Sequence, residues 1–481
     1  MKKKIVALLL CALLVLTCFA ACGNKEPDNP TPSNGEKPSD GTLLDQAIER
    51  YKSSGERFYF AASFIQRAER DYTDEDRANP PGAASREMEA MMNQVKRIEE
   101  KYGIILEMNG TNKLWTLTAA ELVAQLTTKE MPMDMFHTEI RQGRDLWNHG
   151  NGPVIAFNDL LAINEKDTAK WGKESILAAV TDGGKIWGSA WHGSAYMPYV
   201  DFYYGILLMK NDTYDSYNIG QTPREMDEAG KWTFETFVDL LDRVDHDGSE
   251  WGYFAFAYSG DLPMAFVRAN GGSVVKYNET SGKFEFGMAN NNTYNALDVA
   301  KTVNAKKGYV VNSNSIDAFS SGMYTFYMTD SNRAFQEIAQ KTTDYSWIPF
   351  PYGPDVEYGS SNISYFKSID SVCVVVKMED DLRAQMSGLL FDSVVDKLEE
   401  YPNGYEESLK RAYFTEGDEY SYSIYEKGSL NKTWTYETEL SDSLTSLTSA
   451  ITKVMNGKQT PQNAMKALEE KINQDINAAL N

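Results

Sequence analysis

The chain has 481 residues, of which 42% are hydrophobic and 24% charged, a composition typical of a soluble globular protein and too apolar for a disordered one. A formal net charge of -22 repels phosphate backbones and argues against nucleic acid as a partner. Three of the four cysteines (Cys11, Cys18 and Cys22) lie at the N-terminus, so the body keeps Cys373 alone and must be stabilised by its core rather than by disulfides.

The N-terminus has the pattern of an export signal, because three lysines precede an apolar run over residues 5–21. Small residues then lead to Cys22 in the pattern of a bacterial lipobox. We therefore expect residues 1–21 to be a signal peptide, Cys22 to be lipidated, and residues 22–43 to form a disordered tether. This predicts an extracytoplasmic protein anchored to a bacterial cell membrane; an uncleaved membrane anchor is the alternative.

Strand and helix patterns alternate after the tether. Apolar runs at 57–64, 104–108 and 132–136 are typical of short buried strands. Between them, Ser85 is a candidate N-cap for a helix that ends at Gly103, and a capping box at residues 118–121 opens a second helix. This order of strands and helices predicts a parallel α/β sheet.

The middle and end of the chain predict further elements. Residues 199–209 are expected to be a strand, and residues 235–244 a helix preceded by Trp232 as an N-terminal staple. Cys373 lies in a valine-rich run that reads as a buried strand, so it is interpreted as a small apolar residue and not as a nucleophile. From about residue 440 the apolar spacing is helical.

Several short segments from about Arg57 to the C-terminus resemble, in one order, the carbohydrate-binding group of ABC-transporter solute-binding proteins related to maltose-binding protein. They are residues 101–104, 132–135, 182–188 (DGGKIWG), 203–210, 231–237 (KWTFETF), 270–272, 318–328, 348–354 (IPFPYGP) and 455–464. The resemblance implies an α/β, two-lobed periplasmic-binding-protein-like fold with a hinge and an inter-lobe cleft, in which the ligand lies at the carboxyl ends of the strands.

The resemblance also implies domain boundaries. The N-terminal lobe is expected to comprise residues 44–200 and 318–350, and the C-terminal lobe residues 204–317 and 354–481. The expected crossovers lie near residues 199–204, 313–319 and 350–354.

The function that the resemblance implies is capture of a sugar or oligosaccharide and its delivery to the permease subunits of an ABC importer. The protein is expected to be a monomer without catalytic residues, metal or cofactor. Sugars need aromatic platforms for their C–H faces and fixed polar groups for their hydroxyls. The candidate ligand-binding residues are Ser63, Glu139, Trp191, His192, Trp251, Asp330, Asn332 and Trp347.

Two other functions stay open. An extracellular glycosidase would use two of the 69 carboxylates, but no spacing isolates such a pair. A solute-binding protein for a peptide or another non-sugar ligand would have an acidic cleft wall with few stacking aromatic residues. No H-E-x-x-H pair occurs, and the Asp247-Gly248 turn lacks the ligand spacing of a calcium loop.

Overall fold

The computed structural model describes most of the chain after the predicted tether. The described residues are 42–61, 86–109, 117–128, 133–149, 152–171, 177–189, 203–243, 256–258, 262–278, 280–306, 310–360, 363–366, 371–401, 414, 418–431, 433–435 and 440–480. Cys22 lies outside them. Among these residues, none of the helices combines the length and hydrophobicity needed to cross a bilayer.

Fifteen strands are described. They are β1 (Arg57–Ala61), β2 (Ile105–Asn109), β3 (Met135–Glu139), β4 (Thr181–Asp182), β5 (Lys185–Ile186), β6 (Tyr204–Met209), β7 (Phe256–Tyr258), β8 (Val275–Asn278), β9 (Lys283–Phe286), β10 (Val310–Asn312), β11 (Phe326–Asp330), β12 (Ser346–Ile348), β13 (Tyr365–Phe366), β14 (Ser371–Val375) and β15 (Thr433–Trp434).

Helices cover the sheets. They are α1 (Leu43–Tyr51), α2 (Arg86–Tyr102), α3 (Ala119–Thr128), α4 (Ile140–Asn148), α5 (Thr168–Trp171), α6 (Asn211–Ser216), α7 (Pro223–Glu228), α8 (Phe234–Arg243), α9 (Leu262–Ala269), α10 (Asn291–Asn304), α11 (Ile316–Ser320), α12 (Ser331–Arg333, continued by a π-turn over Ala334–Ile338), α13 (Asp381–Val394), α14 (Glu419–Asn431), α15 (Ser441–Met455) and α16 (Pro461–Leu480). Short 3₁₀ turns lie at Phe157–Asp159 and Ala178–Val180.

The first sheet has the order β14-β3-β1-β2. β1 pairs in parallel with β2 and β3, whereas β14 runs antiparallel to β3. The predicted parallel α/β arrangement is thus confirmed, although β3 begins three residues later than expected. Buried side chains of these strands form one core with α1, α2, α4 and α13.

The second sheet has the order β10-β7-β11-β6-β13-β15, with β12 also paired to β6. β7, β10 and β11 are parallel to one another, and β6 is antiparallel to β11, β12 and β13. One face of this sheet packs on α8, α9, α10, α15 and α16, and the other on α11, α14 and the π-turn after α12. Two sheets with separate cores make the two lobes that the sequence predicts.

The lobe boundaries differ from those expected. β11 and β12 pair with β6, so residues 318–350 belong to the second lobe. β14 pairs with β3, so residues 371–401 belong to the first. The physical reason for the position of β11 is its burial. Residues 326–329 are all buried, so β11 has to be a central strand of a sheet that is covered on both faces.

The chain therefore passes between the lobes in three segments, two of which differ from those predicted. The connections run through residues 190–202, 367–370 and 402–413, so the expected crossovers near 313–319 and 350–354 are wrong and lie within the second lobe. The first connection is the one that lies close to its predicted position.

An ion pair between Arg97 and Glu400 on the first lobe leads to a prediction about the pH dependence of stability. Arg97 donates from Nη1 and Nη2 to the two oxygens of Glu400, each at 3.1 Å, and Asn93 adds a third hydrogen bond at 3.0 Å. The hydrogen bonds from Arg97 lower the pKa of Glu400 below its ordinary value, although partial burial opposes them.

Glu400 is therefore expected to stabilise the fold above the ordinary glutamate pKa, with loss as the pH falls through its lowered folded value. Because the pair is partly exposed, we expect an effect below about 1 kcal/mol. Urea unfolding of the wild type and Glu400→Gln between pH 6 and pH 3 measures it. The difference between the two proteins should shrink toward the acid end; a constant difference would contradict the assignment.

Candidate functional site

The carboxyl ends of the strands in the two sheets form two edges that the chain joins directly. In the second sheet, the parallel strands β7, β10 and β11 end at one edge. β13 ends and β6 begins at the same edge, because Tyr204 lies opposite both Asp330 and Tyr365. In the first sheet, β1, β2 and β3 end at one edge, where β14 begins, because Ser371 lies opposite Glu139.

The second connection ties these edges together. It leaves the second lobe after Phe366 and enters the first lobe at Ser371, so five Cα-to-Cα steps separate two residues that each lie at a carboxyl edge. At about 3.8 Å per step, they span at most about 19 Å. The two carboxyl edges must therefore lie near one another. In open α/β sheets, ligands bind at the carboxyl ends of the strands.

Two tyrosine rings and a guanidinium mark the edge of the second lobe. Tyr204 and Tyr365 are stacked, with ring centroids 5.1 Å apart and an interplanar angle of 24°. The guanidinium carbon of Arg268, on α9, lies 3.8 Å from the centroid of the Tyr365 ring. Tyr204, Tyr258 and Arg268 are half-buried, whereas Tyr365 is buried. The cluster offers aromatic surface and hydrogen-bond donors in one place.

A β-bulge orients Tyr204. The register between β6 and β11 shifts at residues 329–330, and Gly205 sits in the bulge with a φ of +87°. A Cβ atom at this position would lie 2.4 Å from the carbonyl oxygen of Ile363, so a glycine is needed for both the φ value and the close approach. Bulges of this kind re-aim a side chain next to functional sites.

Replacing Gly205 with alanine is expected to destabilise the second lobe by about 1–3 kcal/mol and to disturb the Tyr204–Tyr365 stack. Urea unfolding and the near-UV circular dichroism of the tyrosines measure the two effects. Gly220→Ala is the matched control, because Gly220 has a φ of +101° but nothing within 4 Å of the added Cβ. Equal effects of the two substitutions would contradict the role of the close approach to Ile363.

Asp330 follows β11 at the same edge and is held in a hydrogen-bonded position. Its Oδ1 accepts the backbone N–H of Arg333 at 2.9 Å, and its Oδ2 lies 3.7 Å from Nε of Arg333. Nη1 of Arg333 also donates to the side chain of Asn314 at 3.1 Å. Asp330 is therefore both the N-cap of α12 and a half-buried acceptor at the candidate site.

Glu139 stands at the facing edge, at the carboxyl end of β3. Its side chain is half-buried, and its Oε2 lies 3.4 Å from Nη2 of Arg141. Glu139 also precedes α4 as the N-cap residue, without a side-chain capping bond. The structure thus places Glu139 and Asp330 on the two edges that residues 367–370 connect.

Trp347 was expected to be a platform and is instead a core residue. It is 1% exposed, and its ring packs against Phe335, Phe414 and Tyr425 at centroid distances of 5.1, 5.8 and 5.6 Å. Rings covered by protein cannot stack on a ligand. The prediction rested on the turn near Trp347. In the structure, β12 directs the side chain of Trp347 against α14.

The remaining predicted site residues lie outside what the structure describes. These are Ser63, Trp191, His192 and Trp251, together with the side chain of Asn332, whose backbone belongs to α12.

The sequence interpretation missed Tyr204 and Arg268 as candidate contacts, and the buried Tyr365 against which both lie. The available signal was the glycine after two tyrosines inside the predicted strand at 199–209, because an isolated glycine in a strand pattern indicates a bulge. Arg268 and Tyr365 meet through packing between α9 and β13, which leaves no local sequence signal.

Among the described residues, no group of three or more His, Cys, Asp or Glu side chains could hold a metal ion. Independently of this, the described edges offer stacking surfaces, guanidinium donors and carboxylate acceptors, which suit a ligand recognised by hydrogen bonds and ring contact.

Solved sugar-binding proteins have the same fold. The maltose-binding protein MalE of Listeria monocytogenes, solved with maltose, matches with a TM-score of 0.56 at 12% identity over 89% of this chain and 99% of that one. A cyclo/maltodextrin-binding protein solved with maltotetraose gives 0.56 at 12% identity over 87% and 96%. The GacH receptor of Streptomyces glaucescens, solved unliganded and with acarbose, gives 0.52 at 11% identity over 88% and 99%.

At this level of identity the likeness establishes the fold, which is the two-lobed periplasmic-binding-protein fold predicted from the sequence. No protein-family model and no curated protein matches the chain.

Proposed function

We propose that this protein is a non-catalytic receptor that captures a sugar or oligosaccharide outside the cell and delivers it to the permease subunits of an ABC importer. One observation carries the proposal: the Tyr204–Tyr365 stack with Arg268 lies on a sheet edge that a four-residue connection ties to the facing edge of the other lobe. Ligands in open α/β folds bind at such edges.

The chemistry of the described edge supports a hydroxyl-rich ligand. The half-buried ring of Tyr204 offers apolar surface to a sugar face, while Arg268 and Asp330 supply a donor and an acceptor for hydroxyls. The similar solved structures are binding proteins, several solved with glucose-based sugars, which supports binding rather than turnover. Trp191, His192 and Trp251 stay proposed contacts from the remaining segments.

The lipobox supports the rest of the proposal. Lipidation of Cys22 would anchor the protein on the outer face of the cell membrane, with residues 22–43 as the tether. A binding protein held there would meet its ligand outside the cell and its permease partner in the same membrane.

A carbohydrate panel tests the proposal directly. Maltose, maltotetraose, a cyclodextrin, xylo- and manno-oligosaccharides and a mixed peptide pool are screened by thermal shift, and hits are measured by calorimetry. A ligand at a hundredfold excess over its Kd is expected to add about 2.7 kcal/mol of stability. Unchanged sugar recovered after incubation supports the receptor, and released monosaccharide would instead establish a glycosidase. Binding of the peptide pool alone would overturn the proposed ligand class.

A further inference from the structure

We propose that Gly428 is a positioning residue: its missing side chain lets the ends of all three inter-lobe connections pack together, and this packing sets the relative position of the two lobes. The effect on ligand affinity rests on the proposed function, whereas the effect on lobe position does not.

The second-lobe ends of the three connections meet at one place. Tyr203 follows the first connection directly, and Ser364 precedes the second by two residues. After the third connection, the chain re-enters the described part at Phe414 and forms α14, which carries Gly428. Tyr203 and Ser364 are 1% and 3% exposed, so the contact among them is part of the core.

Hydrogen bonds fix Tyr203 at this point. Its backbone N–H donates to Oγ of Ser331 at 2.9 Å, and its carbonyl oxygen accepts the N–H of Ser331 at 3.0 Å. Its hydroxyl donates to the carbonyl oxygen of Tyr425 on α14 at 3.1 Å. The end of the first connection is thus bonded both to the start of α12 and to the helix that follows the third connection.

Gly428 permits this approach. A Cβ atom there would lie 2.7 Å from Oη and 2.8 Å from Cε2 of Tyr203, and 2.9 Å from Oγ of Ser364. A glycine in a helix interior costs about 0.5–1 kcal/mol relative to alanine, so its presence within α14 needs a packing reason. Here the reason is simultaneous contact with Tyr203 and Ser364, which flank the first and second connections.

Moving α14 away from Tyr203 would displace the end of the third connection relative to the first two. Packed cores respond to an added methyl group by shifts of side chains and backbone, because they contain few voids. The three connections are the covalent links between the lobes, so such a shift changes the relative position in which the lobes rest. Ligand affinity is then expected to change although Gly428 is not itself a proposed ligand contact.

The experiment compares the full-length wild type with Gly428→Ala by small-angle X-ray scattering without ligand. Gly388→Ala is the matched control, since Gly388 is a buried helix glycine in α13 whose added Cβ would lie 3.0 Å from Leu160, within the first lobe. We expect Gly428→Ala to change the pair-distance distribution and Gly388→Ala to leave it unchanged. Tyr203→Phe adds no volume, removes the bond to Tyr425 and should also change it, which provides a test if Gly428→Ala fails to fold.

A second arm uses maltotetraose as the probe. Gly428→Ala is expected to change its Kd by about fivefold or more, the lower end of typical coupling between sites. Scattering curves of Gly428→Ala and Tyr203→Phe that both match the wild type would overturn the inference. For Gly428→Ala, such a match would mean that the added methyl group is accommodated by a shift of Tyr203 into the neighbouring cavity of about 40 Å³. Failure of maltotetraose to bind the wild type bears on the proposed function alone, because the scattering arm needs no ligand.

Discussion

Replacing Asp134 with alanine is expected to destabilise the first lobe by about 3 kcal/mol, because the substitution removes the buried partner of a largely buried arginine and leaves it, among the described residues, only the half-exposed Glu56, 3.0 Å away, as an ion-pair partner. Arg383, on α13, donates from Nε and Nη2 to the two oxygens of Asp134 at 2.6 and 2.9 Å. The side chains of Asp134 and Arg383 are 4% and 21% exposed.

The pair joins α13 to the first sheet at several points. Nη2 of Arg383 also donates to the carbonyl oxygen of Arg57 at 2.6 Å, and the guanidinium lies 4.5 Å from the centroid of the Phe58 ring. Asp134 accepts the backbone N–H of Tyr59 at 2.7 Å. Loss of the carboxylate therefore leaves Nε of Arg383 and the backbone N–H of Tyr59 without these acceptors near the start of β1 and β3.

Urea unfolding followed by tryptophan fluorescence measures this loss. Asp159→Ala is the control, because Asp159 forms an ion pair with Lys185 in which both side chains are about half exposed, at 50% and 47%. That substitution should cost at most about 1 kcal/mol. The double variant Asp134→Ala, Arg383→Leu should recover part of the stability, since it removes the charge that has lost its buried partner; a double variant less stable than either single one would refute this account.

If the protein binds a carbohydrate as proposed, replacing Tyr204 with alanine is expected to weaken that binding by about tenfold or more, which corresponds to about 1.4 kcal/mol, while the fold persists. The substitution removes the half-buried ring that stacks on Tyr365 at the carboxyl edge of the second sheet. Calorimetric titration with the best sugar from the panel measures the change.

Two further variants separate ring contact from general effects. Tyr204→Phe keeps the stacking surface and should retain most of the affinity. Tyr277→Ala removes another tyrosine, which is 55% exposed on the β8–β9 hairpin, and should leave binding unchanged. If Tyr204→Ala binds as tightly as wild type, the described edge is not the ligand site, even if the protein binds sugars.

Local patterns predict the elements well where periodicity and caps agree. The helix that ends before Gly103, the capping box at Thr118 and the apolar positions of the last helix are all found, because these signals depend on neighbours within one or two turns. The start of β3 is displaced by three residues, since strand ends carry no comparable cap.

Strand pairing and the site residues are less predictable because they depend on distant segments. The sequence of residues 326–330 does not indicate that β11 pairs with β6 of the second lobe. The sequence of residues 371–375 likewise does not indicate that β14 pairs with β3 of the first lobe. The same holds for Trp347, whose burial depends on α14, and for Arg268, whose position over Tyr365 depends on packing of α9. Only the bulge at Gly205 left a trace in the sequence.

The interleaved topology has a consequence for biosynthesis. A nascent chain that ends at Phe366 lacks β14 and α13, which complete the first lobe, and also α14, α15 and α16, which complete the second. The first hydrophobic core can close only after the residues up to about 401 have left the ribosome, and the second only after α15 and α16 have followed, so neither half can reach its native state during the first three quarters of the 481 residues. With the predicted export signal, the chain would therefore stay incompletely folded, and able to pass through a secretion channel, for most of its synthesis.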